Sequence, residues 1–423
     1  MKKIPKFKGF NLSNEDFYKM SQTKQLFRMG IKVNTPVACN WACPYCYVGS
    51  PEFKDRPRTE KLKNGTPEPF KDPEWPIKMS GWIDQGIALG AKAVTINGTF
   101  EPLTAPHHMQ IIDHCISKNL LVTFVTNGAL MDESKLTALN DRKVNILTKL
   151  NVPFVDSSDP RYEKFCEIHK TLSGAPGTPA DSYEKQKNLI YKLMETGFNK
   201  DCPEGQTRLG VESVITQLNI EYLPELISQL RAFNLYSHIE VTKVQGFAKN
   251  NEYLVVSKER LKSFFHEILD QDIAQEYEAW IPRPPYVAGV CYENMMRVDV
   301  HADGTIKPCP GIETPLGNLY ESSFEEILKS QWLDVVRNLG DFIQGDCKSC
   351  ELMESKQCYG GCRGTAYQSL KNAGKSEWEC LVASDPSCSR VKTVLDNGLQ
   401  ASEVFNLVVL NKILLRFHYV PSK

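Results

Sequence analysis

The chain of 423 residues lacks any uninterrupted apolar run of about 18 residues, the length that a membrane-spanning helix needs. It also lacks a signal peptide, because the basic start over residues 1–6 is not followed by an apolar core. An excess of positive charge is missing as well, since 50 Lys and Arg face 51 Asp and Glu, which argues against a nucleic-acid partner. These absences predict a cytoplasmic protein without membrane or nucleic-acid contacts.

Cysteine, in contrast, is abundant, with 14 in the chain. In a reducing compartment this density indicates metal or cluster ligation rather than disulfides. One group lies near residue 40 and a second between residues 291 and 388, whereas Cys115, Cys166 and Cys202 are isolated and are interpreted as ordinary residues. The chain length suggests two domains, or one large barrel with an appendage.

Three cysteines occur close together in the segment Cys39-Asn40-Trp41-Ala42-Cys43-Pro44-Tyr45-Cys46, directly after an apolar run over residues 31–38. Three thiolates can hold three irons of a 4Fe–4S cluster and leave the fourth iron without a protein ligand. Such an open iron can bind and reduce another molecule. The alternative is a structural zinc site, which usually has four ligands in two pairs.

Strand and helix patterns alternate through the first two thirds of the chain. Six strands, each followed by a helix, predict a parallel sheet with helices outside it. Six units are too few for a closed eight-stranded barrel, so we expect an α/β fold built on a partial (β/α)6 TIM-like barrel. The predicted strands are 31–38, 93–97, 120–126, 144–150, 207–216 and 238–244. The predicted helices are 77–88, 107–118, 132–140, 182–196, 223–233 and 258–270.

The prolines and glycine of residues 282–289 predict a domain boundary. After it, alternation over residues 296–307 around Ala302-Asp303-Gly304 predicts a hairpin, and residues 323–338 and 359–371 show helical patterns. The predicted organisation is a lead segment (1–30), the barrel (31–280), a small cysteine-rich α+β domain (285–395) and a C-terminal helix (396–423).

Three further segments have individual predictions. Residues 14–29 are expected to form a helix that plugs or flanks the barrel. Residues 48–75 and 151–179 are expected to be long loops. The amphipathic C-terminal helix, over residues 400–417, is expected to dock on a core or on a second subunit.

The Cys-x3-Cys-x-aromatic-Cys loop after the first strand of a partial barrel resembles the signature of the radical SAM superfamily, over about residues 31–250. The resemblance implies that the open iron of the cluster held by Cys39, Cys43 and Cys46 chelates S-adenosylmethionine (SAM). Reductive cleavage of SAM then yields a 5′-deoxyadenosyl radical that abstracts hydrogen from a substrate. The resemblance also implies that Tyr45 lies against the adenine and that a reductant such as flavodoxin or ferredoxin is a partner.

Two further segments fit the superfamily. After the second strand its members commonly have Gly-Gly-Glu-Pro, whose acidic residue accepts a hydrogen bond from the SAM amino group. This chain has Gly98-Thr99-Phe100-Glu101-Pro102, so Glu101 is expected to be that ligand although the diglycine is missing. Thr126-Asn127-Gly128, after the third strand, also fits the pattern.

The fourth strand departs from relatives that modify peptides or sulfatases, which often read Ser-x-Asp-Gly there. We hypothesise that Lys149 pairs with the SAM carboxylate, because a buried lysine is costly without an anion. The alternative is a lysine that reaches solvent from the end of the sheet. Ser213 is a candidate contact to the ribose or the carboxylate. Glu240 and Lys243 are candidate substrate contacts or a structural salt bridge.

The C-terminal cysteines resemble the SPASM extension of this superfamily, over about residues 291–390, although one spacer has seven residues instead of five. The resemblance implies two auxiliary 4Fe–4S clusters. The ligands implied for one cluster are Cys347, Cys350, Cys358 and Cys380. The ligands implied for the other are Cys291, Cys309 and Cys362. The latter cluster either keeps an open iron or takes Cys388. The alternative for the whole segment is zinc binding that stabilises a small domain.

The expected function is therefore a radical SAM enzyme that abstracts hydrogen from a peptide side chain or a small metabolite. Its auxiliary clusters are expected to assist oxidation or bond formation. A sugar or cyclitol dehydrogenase or epimerase is one alternative, and a non-catalytic iron–sulfur or zinc scaffold is another. The missing Ser-x-Asp-Gly pattern, and a first segment of 30 residues that is too short for a leader-recognition domain, weigh against a peptide. The sequence does not identify the substrate, the catalytic acid or base, or the oligomeric state.

Overall fold

The computed structural model describes residues 1–11, 23, 25–33, 39–48, 72–98, 101–174, 181–280, 282, 291, 296–355 and 357–388. Within these residues nine strands form one sheet, in the order β6-β5-β4-β3-β2-β1-β7-β8-β9. Strands β1 to β6 are parallel and adjacent in chain order, which confirms the predicted α/β class. The strands are β1 (Arg28–Ile31), β2 (Ala93–Asn97), β3 (Leu121–Val125), β4 (Asn145–Lys149), β5 (Leu209–Ile215), β6 (Tyr236–Val241), β7 (Arg297–Val300), β8 (Thr305–Lys307) and β9 (Gly317–Asn318).

Seven longer helices connect or follow the parallel strands and bury apolar faces such as Phe165, Ile168 and Leu172. They are α1 (Trp75–Ala88), α2 (His108–Ser117), α3 (Glu133–Asp141), α4 (Tyr162–Ser173), α5 (Ser182–Glu195), α6 (Leu223–Ala232) and α7 (Lys258–Ala274). The cysteine-rich part adds α8 (Phe324–Ile327), α9 (Gln331–Arg337), α10 (Leu339–Phe342), α11 (Glu351–Glu354), α12 (Arg363–Asn372) and α13 (Glu377–Leu381). Strand β5 is buried at every position, as expected for a parallel strand with packing on both faces.

Three expectations need correction. The first strand covers Arg28–Ile31 instead of 31–38, so the predicted helix over 14–29 is wrong at its end. The loop predicted for 151–179 contains α4, whose apolar residues at positions 165, 168 and 172 have helical spacing. The helical pattern of 323–338 is divided between α8 and α9. The C-terminal helix, and most of the loop predicted for 48–75, lie outside the described residues.

The plug of the barrel comes from the first residues of the chain. Phe7 and Phe10 form an apolar cluster with Leu147 and Tyr236, at the start of β6. The ring of Phe7 rests on Gly210, where an added Cβ would lie 2.7 Å from its Cζ. A side chain at position 210 would therefore displace this plug.

The cysteine-rich part continues the barrel sheet. Strand β7 pairs in parallel with β1, with Arg28 opposite Arg297 and Ile31 opposite Val300. The predicted hairpin follows as β7 and β8, with Gly304 at φ +79° in its turn. Cys309 follows two residues after β8 and lies near Arg297 and Asp299 of β7. The domain boundaries themselves stay a prediction.

Among the helices that the structure describes, none combines the length and apolar character needed to cross a bilayer.

Candidate active site

A cavity of about 310 Å³ lies where the parallel strands end. The three cysteines of the loop after β1, namely Cys39, Cys43 and Cys46, line this cavity. Cys291, Cys309 and Cys362 of the cysteine-rich part line it as well. The fold thus brings six predicted ligands, from two distant parts of the chain, to one enclosed space.

The chemistry of these side chains fits an iron–sulfur cluster. Burial, followed by the neighbouring thiols of Cys46 and Cys39, raises the pKa of Cys43. Burial likewise raises the pKa of Cys39 to about 11 and that of Cys309 to about 12. Thiolates that converge in this way repel one another, and a cationic iron centre removes that cost.

The loop that carries the first three cysteines is held by α4. The backbone N–H of Ala42 donates to the carbonyl of Ser173 at 2.9 Å, and the Trp41 ring meets the His169 ring edge-on at 5.7 Å. Gly174 ends α4 at φ +64°, and an added Cβ there would lie 2.0 Å from the Ala42 oxygen. Only glycine allows this approach, so the helix that sequence reasoning missed positions the cluster loop.

Glu101 is buried, and its carboxylate is bound by residues that follow β3. Thr126 Oγ1 donates to one carboxylate oxygen at 2.5 Å, and the Asn127 N–H donates to the other at 2.7 Å. Asn127 Nδ2 also donates to Asn40 Oδ1 in the cluster loop, at 2.8 Å. Burial raises the pKa of Glu101 in spite of these donors. Thr126 and Asn127 therefore hold Glu101 beside the cluster loop, and Glu101 lines the cavity. Its contact with SAM stays a prediction.

Tyr45 lines the cavity with its side chain largely buried. Its hydroxyl accepts a hydrogen bond from Asn151 Nδ2 at 3.1 Å, and Asn151 Oδ1 accepts one from the Val214 N–H. The ring is thus fixed against the ends of β4 and β5. Its contact with an adenine stays a prediction.

Lys149 lies in the cavity wall, but the structure supplies an anion that the sequence argument had not found. Its Nζ lies 2.5 Å from Glu212 Oε1 on β5. Burial disfavours the ammonium, yet the carboxylates of Glu212 and Glu240 outweigh burial and raise the pKa of Lys149. A buried Lys149 therefore does not by itself require the SAM carboxylate.

Ser213 does not face the cavity. Its hydroxyl donates to the carbonyl of Leu150 at 2.5 Å, and its side chain is fully buried. Glu212 and Val214 line the cavity instead, because neighbouring residues of a strand point to opposite faces. We therefore do not retain Ser213 as a cofactor contact, and Glu212 is the cavity residue of β5.

Glu240 and Lys243 form the salt bridge of the second alternative, at 3.2 Å, and both line the cavity. Their contact with a substrate stays a prediction. Glu212, His238 and Glu240 also lie close, with one ligand atom of each within 4.8 Å of the others. Burial opposes ionisation of Glu240, but Lys243 and His238 outweigh it and hold the pKa of that carboxyl below its usual range.

The remaining cysteines surround the segment that follows α13. The Cys347 N–H donates to Ser384 Oγ at 3.0 Å, and the Cys362 N–H donates to Asp385 Oδ2 at 2.6 Å. Cys388 lies one turn later, where its N–H donates to the Asp385 carbonyl at 3.1 Å. Cys388 is therefore attached to the same loops as the other cysteine ligands.

Cys380 has different surroundings. It is fully buried in an apolar cluster with Ile312, Val336 and Tyr367, and its thiol donates to the Lys375 carbonyl at 3.7 Å. The side chain thus packs as a small hydrophobic group in α13, in the same apolar cluster as Cys309, although the resemblance implies that Cys380 is a cluster ligand.

Sequence reasoning did not identify five titratable residues in or beside the cavity wall. The four that line the cavity are Lys32, Glu212, His238 and Arg297, and the fifth, Asp299, lies next to Arg297. The only available signal was the presence of charged residues within otherwise apolar strands.

Comparison with known proteins agrees with this geometry. Residues 291–351 match the SPASM family, described as an iron–sulfur cluster-binding domain. The chain is 24% identical over 380 residues to the PqqA peptide cyclase of Gluconobacter oxydans, covering 86% of this chain and 92% of that protein. It is 22% identical over 359 residues to the PqqA peptide cyclase of Granulibacter bethesdensis, covering 80% and 83%.

Solved structures share the fold. Streptococcus suis SuiB bound to S-adenosylmethionine has a TM-score of 0.58 at 16% identity, covering 88% of this chain and 80% of that chain. SuiB bound to its precursor peptide SuiA has a TM-score of 0.57 at 16% identity, covering 88% and 78%. Native anSMEcpe with bound AdoMet has a TM-score of 0.58 at 17% identity, covering 84% and 94%.

The contact between Gly174 and the cluster loop gives a test. Gly174→Ala is expected to displace Ala42 and to lower the iron content of the reconstituted protein by up to about four atoms per chain, one 4Fe–4S cluster. The measurement is iron per chain, together with the melting temperature.

Gly197→Ala is the matched control, because Gly197 also has a positive φ, of +96°, after a helix but has nothing within 4 Å of an added Cβ. Both variants carry backbone strain of about 1–2 kcal/mol. Equal iron contents in the two variants would contradict the positioning role of α4.

Proposed function

We propose that this chain, a radical SAM enzyme with a C-terminal SPASM domain, modifies a side chain of a peptide. The observation that carries the proposal is the single cavity that Glu101 and the Cys39–Cys46 loop share with cysteines of the SPASM part. A substrate in this space would lie between the radical-generating site and an auxiliary cluster.

The cofactors of the enzyme are SAM and 4Fe–4S clusters. We propose that Cys39, Cys43 and Cys46 hold the first cluster and that Glu101 accepts a hydrogen bond from the SAM amino group. When bound, the cluster and SAM supply a 5′-deoxyadenosyl radical that abstracts hydrogen from the substrate.

The protein side chains prepare the space for this chemistry. The pairs Lys149–Glu212 and Lys243–Glu240 are mutually neutralised, so they line the wall without a net charge. Phe10 and Val214 close other parts of it with apolar surface. Neutralised and apolar wall surface of this kind limits the contact of water with a reactive radical.

A peptide substrate is supported by the names of the relatives. The curated relatives are peptide cyclases, and SuiB was solved with a precursor peptide. Nothing among the described residues favours a sugar or cyclitol specifically. Because the curated relatives are named as enzymes, the scaffold alternative has no comparable support. A flavodoxin or ferredoxin reductant stays a prediction.

We further propose that Cys388, rather than Cys380, completes the auxiliary cluster of Cys347, Cys350 and Cys358. The support is the attachment of residues 384–388 to the Cys347 and Cys362 loops and the hydrogen bond from the Cys380 thiol to the Lys375 carbonyl. The other cluster then has Cys291, Cys309 and Cys362, all of which line the cavity.

Anaerobic reconstitution with iron and sulfide, followed by dithionite and SAM, tests the enzyme proposal. The expected product is 5′-deoxyadenosine, measured by liquid chromatography, at an iron content of about 12 atoms per chain for three clusters. Cys43→Ala is expected to abolish the product, because two thiolates do not hold the SAM-binding cluster. Cys166→Ala, which alters a cysteine outside both groups, is the control. Absence of 5′-deoxyadenosine from the iron-loaded wild type would overturn the proposal.

The assignment of Cys388 has its own test. Cys388→Ala is expected to lose about four irons per chain, whereas Cys380→Ala is expected to keep them and to lower only the melting temperature. Iron analysis and electron paramagnetic resonance of the dithionite-reduced proteins measure both effects. Iron loss in Cys380→Ala with full loading of Cys388→Ala would contradict the assignment.

A further inference from the structure

The segment that directly follows β6 is attached to the SPASM part at two adjacent residues. Asn372, the last residue of α12, donates from Nδ2 to the Val244 carbonyl at 2.8 Å. Gln245 donates from Nε2 to Glu313 Oε1 at 3.1 Å. These two hydrogen bonds fix the backbone directly after Lys243 relative to the SPASM part.

The same two SPASM segments carry cysteines of the cavity. Cys362 directly precedes α12, and Cys309 belongs to the other segment. The two segments touch at a pair of glycines, since a Cβ added to Gly311 would lie 2.7 Å from the Gly364 Cα. Lys243, Cys309 and Cys362 all line the cavity. The lysine and both thiols therefore share one wall.

The ammonium of Lys243 is buried in this wall, with its side chain only 12% exposed. Its Nζ lies 3.2 Å from Glu240 Oε2 and 4.8 Å from the centre of the Tyr47 ring. Burial alone would lower the pKa of Lys243, but Glu240 and then the Cys362 thiolate outweigh burial and raise that pKa. Tyr47 directly follows Cys46, so this charged lysine contacts the first cysteine loop while it also acts on a SPASM cysteine.

Both oxygens of the Glu240 carboxylate have neighbours. Oε2 pairs with Lys243, and Oε1 lies 3.6 Å from His238 Nε2. The other nitrogen of that ring, Nδ1, lies 2.9 Å from the Tyr236 hydroxyl, which accepts a hydrogen bond from Asn11 Nδ2 at 3.2 Å. This row of contacts fixes the carboxylate, and the carboxylate in turn fixes the ammonium of Lys243.

The positive end of this pair is the end nearer the SPASM cysteines. Along the chain, Lys243 lies three residues closer than Glu240 to the two attachments of the SPASM part. The Cys362 thiolate contributes to the raised pKa of Lys243. The pKa of Glu240 depends, after burial, mainly on Lys243 and His238. The field that the pair exerts on the SPASM thiolates is therefore positive.

A positive charge beside an iron–sulfur cluster favours the reduced form of the cluster. One-electron reduction makes the net charge of a 4Fe–4S cluster more negative by one, so a nearby cation stabilises the reduced form more than the oxidised form. Burial strengthens this effect, because water and salt screen buried charges less. Lys243 is thus placed to influence a cluster that Cys309 and Cys362 bind.

We propose that Lys243 raises the reduction potential of the auxiliary cluster held by Cys291, Cys309 and Cys362, which favours electron transfer from the substrate to that cluster. This inference rests on the proposed function and its cluster ligands, and it adds an electrostatic role for a protein side chain. Hydrogen abstraction by the 5′-deoxyadenosyl radical leaves a substrate radical. Oxidation of that radical releases one electron, which goes to the cluster, and one proton, which goes to water.

The test is a potentiometric titration of the reconstituted enzyme, followed by electron paramagnetic resonance. The signal of this cluster is identified by its loss in Cys309→Ala. Lys243→Met is expected to lower the equilibrium constant for one-electron reduction by at least about tenfold, a midpoint shift of about 59 mV to lower potential. Lys243→Arg, which keeps the positive charge, is expected to keep most of the wild-type potential.

Glu240→Gln separates a charge effect from simple loss of the salt bridge. This variant and Lys243→Met both break the pair, but Glu240→Gln removes the negative charge and is therefore expected to raise the potential. A shift of both variants in the same direction would overturn the proposal in favour of a structural role for the pair. Iron content and melting temperature are measured for each variant to verify loading and folding.

Lys249→Met is the matched control, since Lys249 belongs to the same segment after β6 but is exposed and does not line the cavity. It should keep the wild-type potential. An unchanged potential in Lys243→Met would overturn the role of Lys243, while 5′-deoxyadenosine formation would still support the enzyme. Absence of the signal that depends on Cys309 from the iron-loaded wild type would overturn this inference together with the assignment of that cluster.

Discussion

Pairing of buried charges is the constraint on which this active site depends. Burial away from bulk water makes an isolated charge costly, so a charged side chain that is buried in the cavity wall needs a partner or a ligand. Lys149 has Glu212, and Lys243 has Glu240. Glu101 is held by a hydroxyl and backbone donors.

Specific hydrogen bonds and one close backbone approach position the cluster loop. Three cysteines with the right spacing do not bind a cluster unless their loop is held at the end of the sheet. Here α4 holds it through Ser173 and Gly174, and the Asn127 side chain reaches Asn40 from the end of β3. Because Asn127 also binds Glu101, the expected SAM ligand and the cluster loop are joined through one residue.

The shared sheet explains how two distant cysteine groups meet. Strand β7 adds to β1 on the edge opposite β2, so the SPASM part extends the barrel instead of standing apart from it. This addition brings Cys309 and Cys362 to the cavity that Cys39 lines. It also creates the wall of Lys32, Arg297 and Asp299, which neither part of the chain would form alone.

The sequence by itself determined the α/β class, the order of the six strands and the cysteine loop, because these depend on local periodicity and short spacings. It also located Glu101 and Thr126-Asn127, since both directly follow strands. It did not locate α4, whose signal was hidden in a segment rich in turn residues. Only the tertiary structure decided that Lys149 meets Glu212, that Ser213 turns away and that Cys388 lies beside the Cys347 and Cys362 loops. These outcomes depend on distances between residues far apart in the chain and on burial, which a linear pattern does not contain.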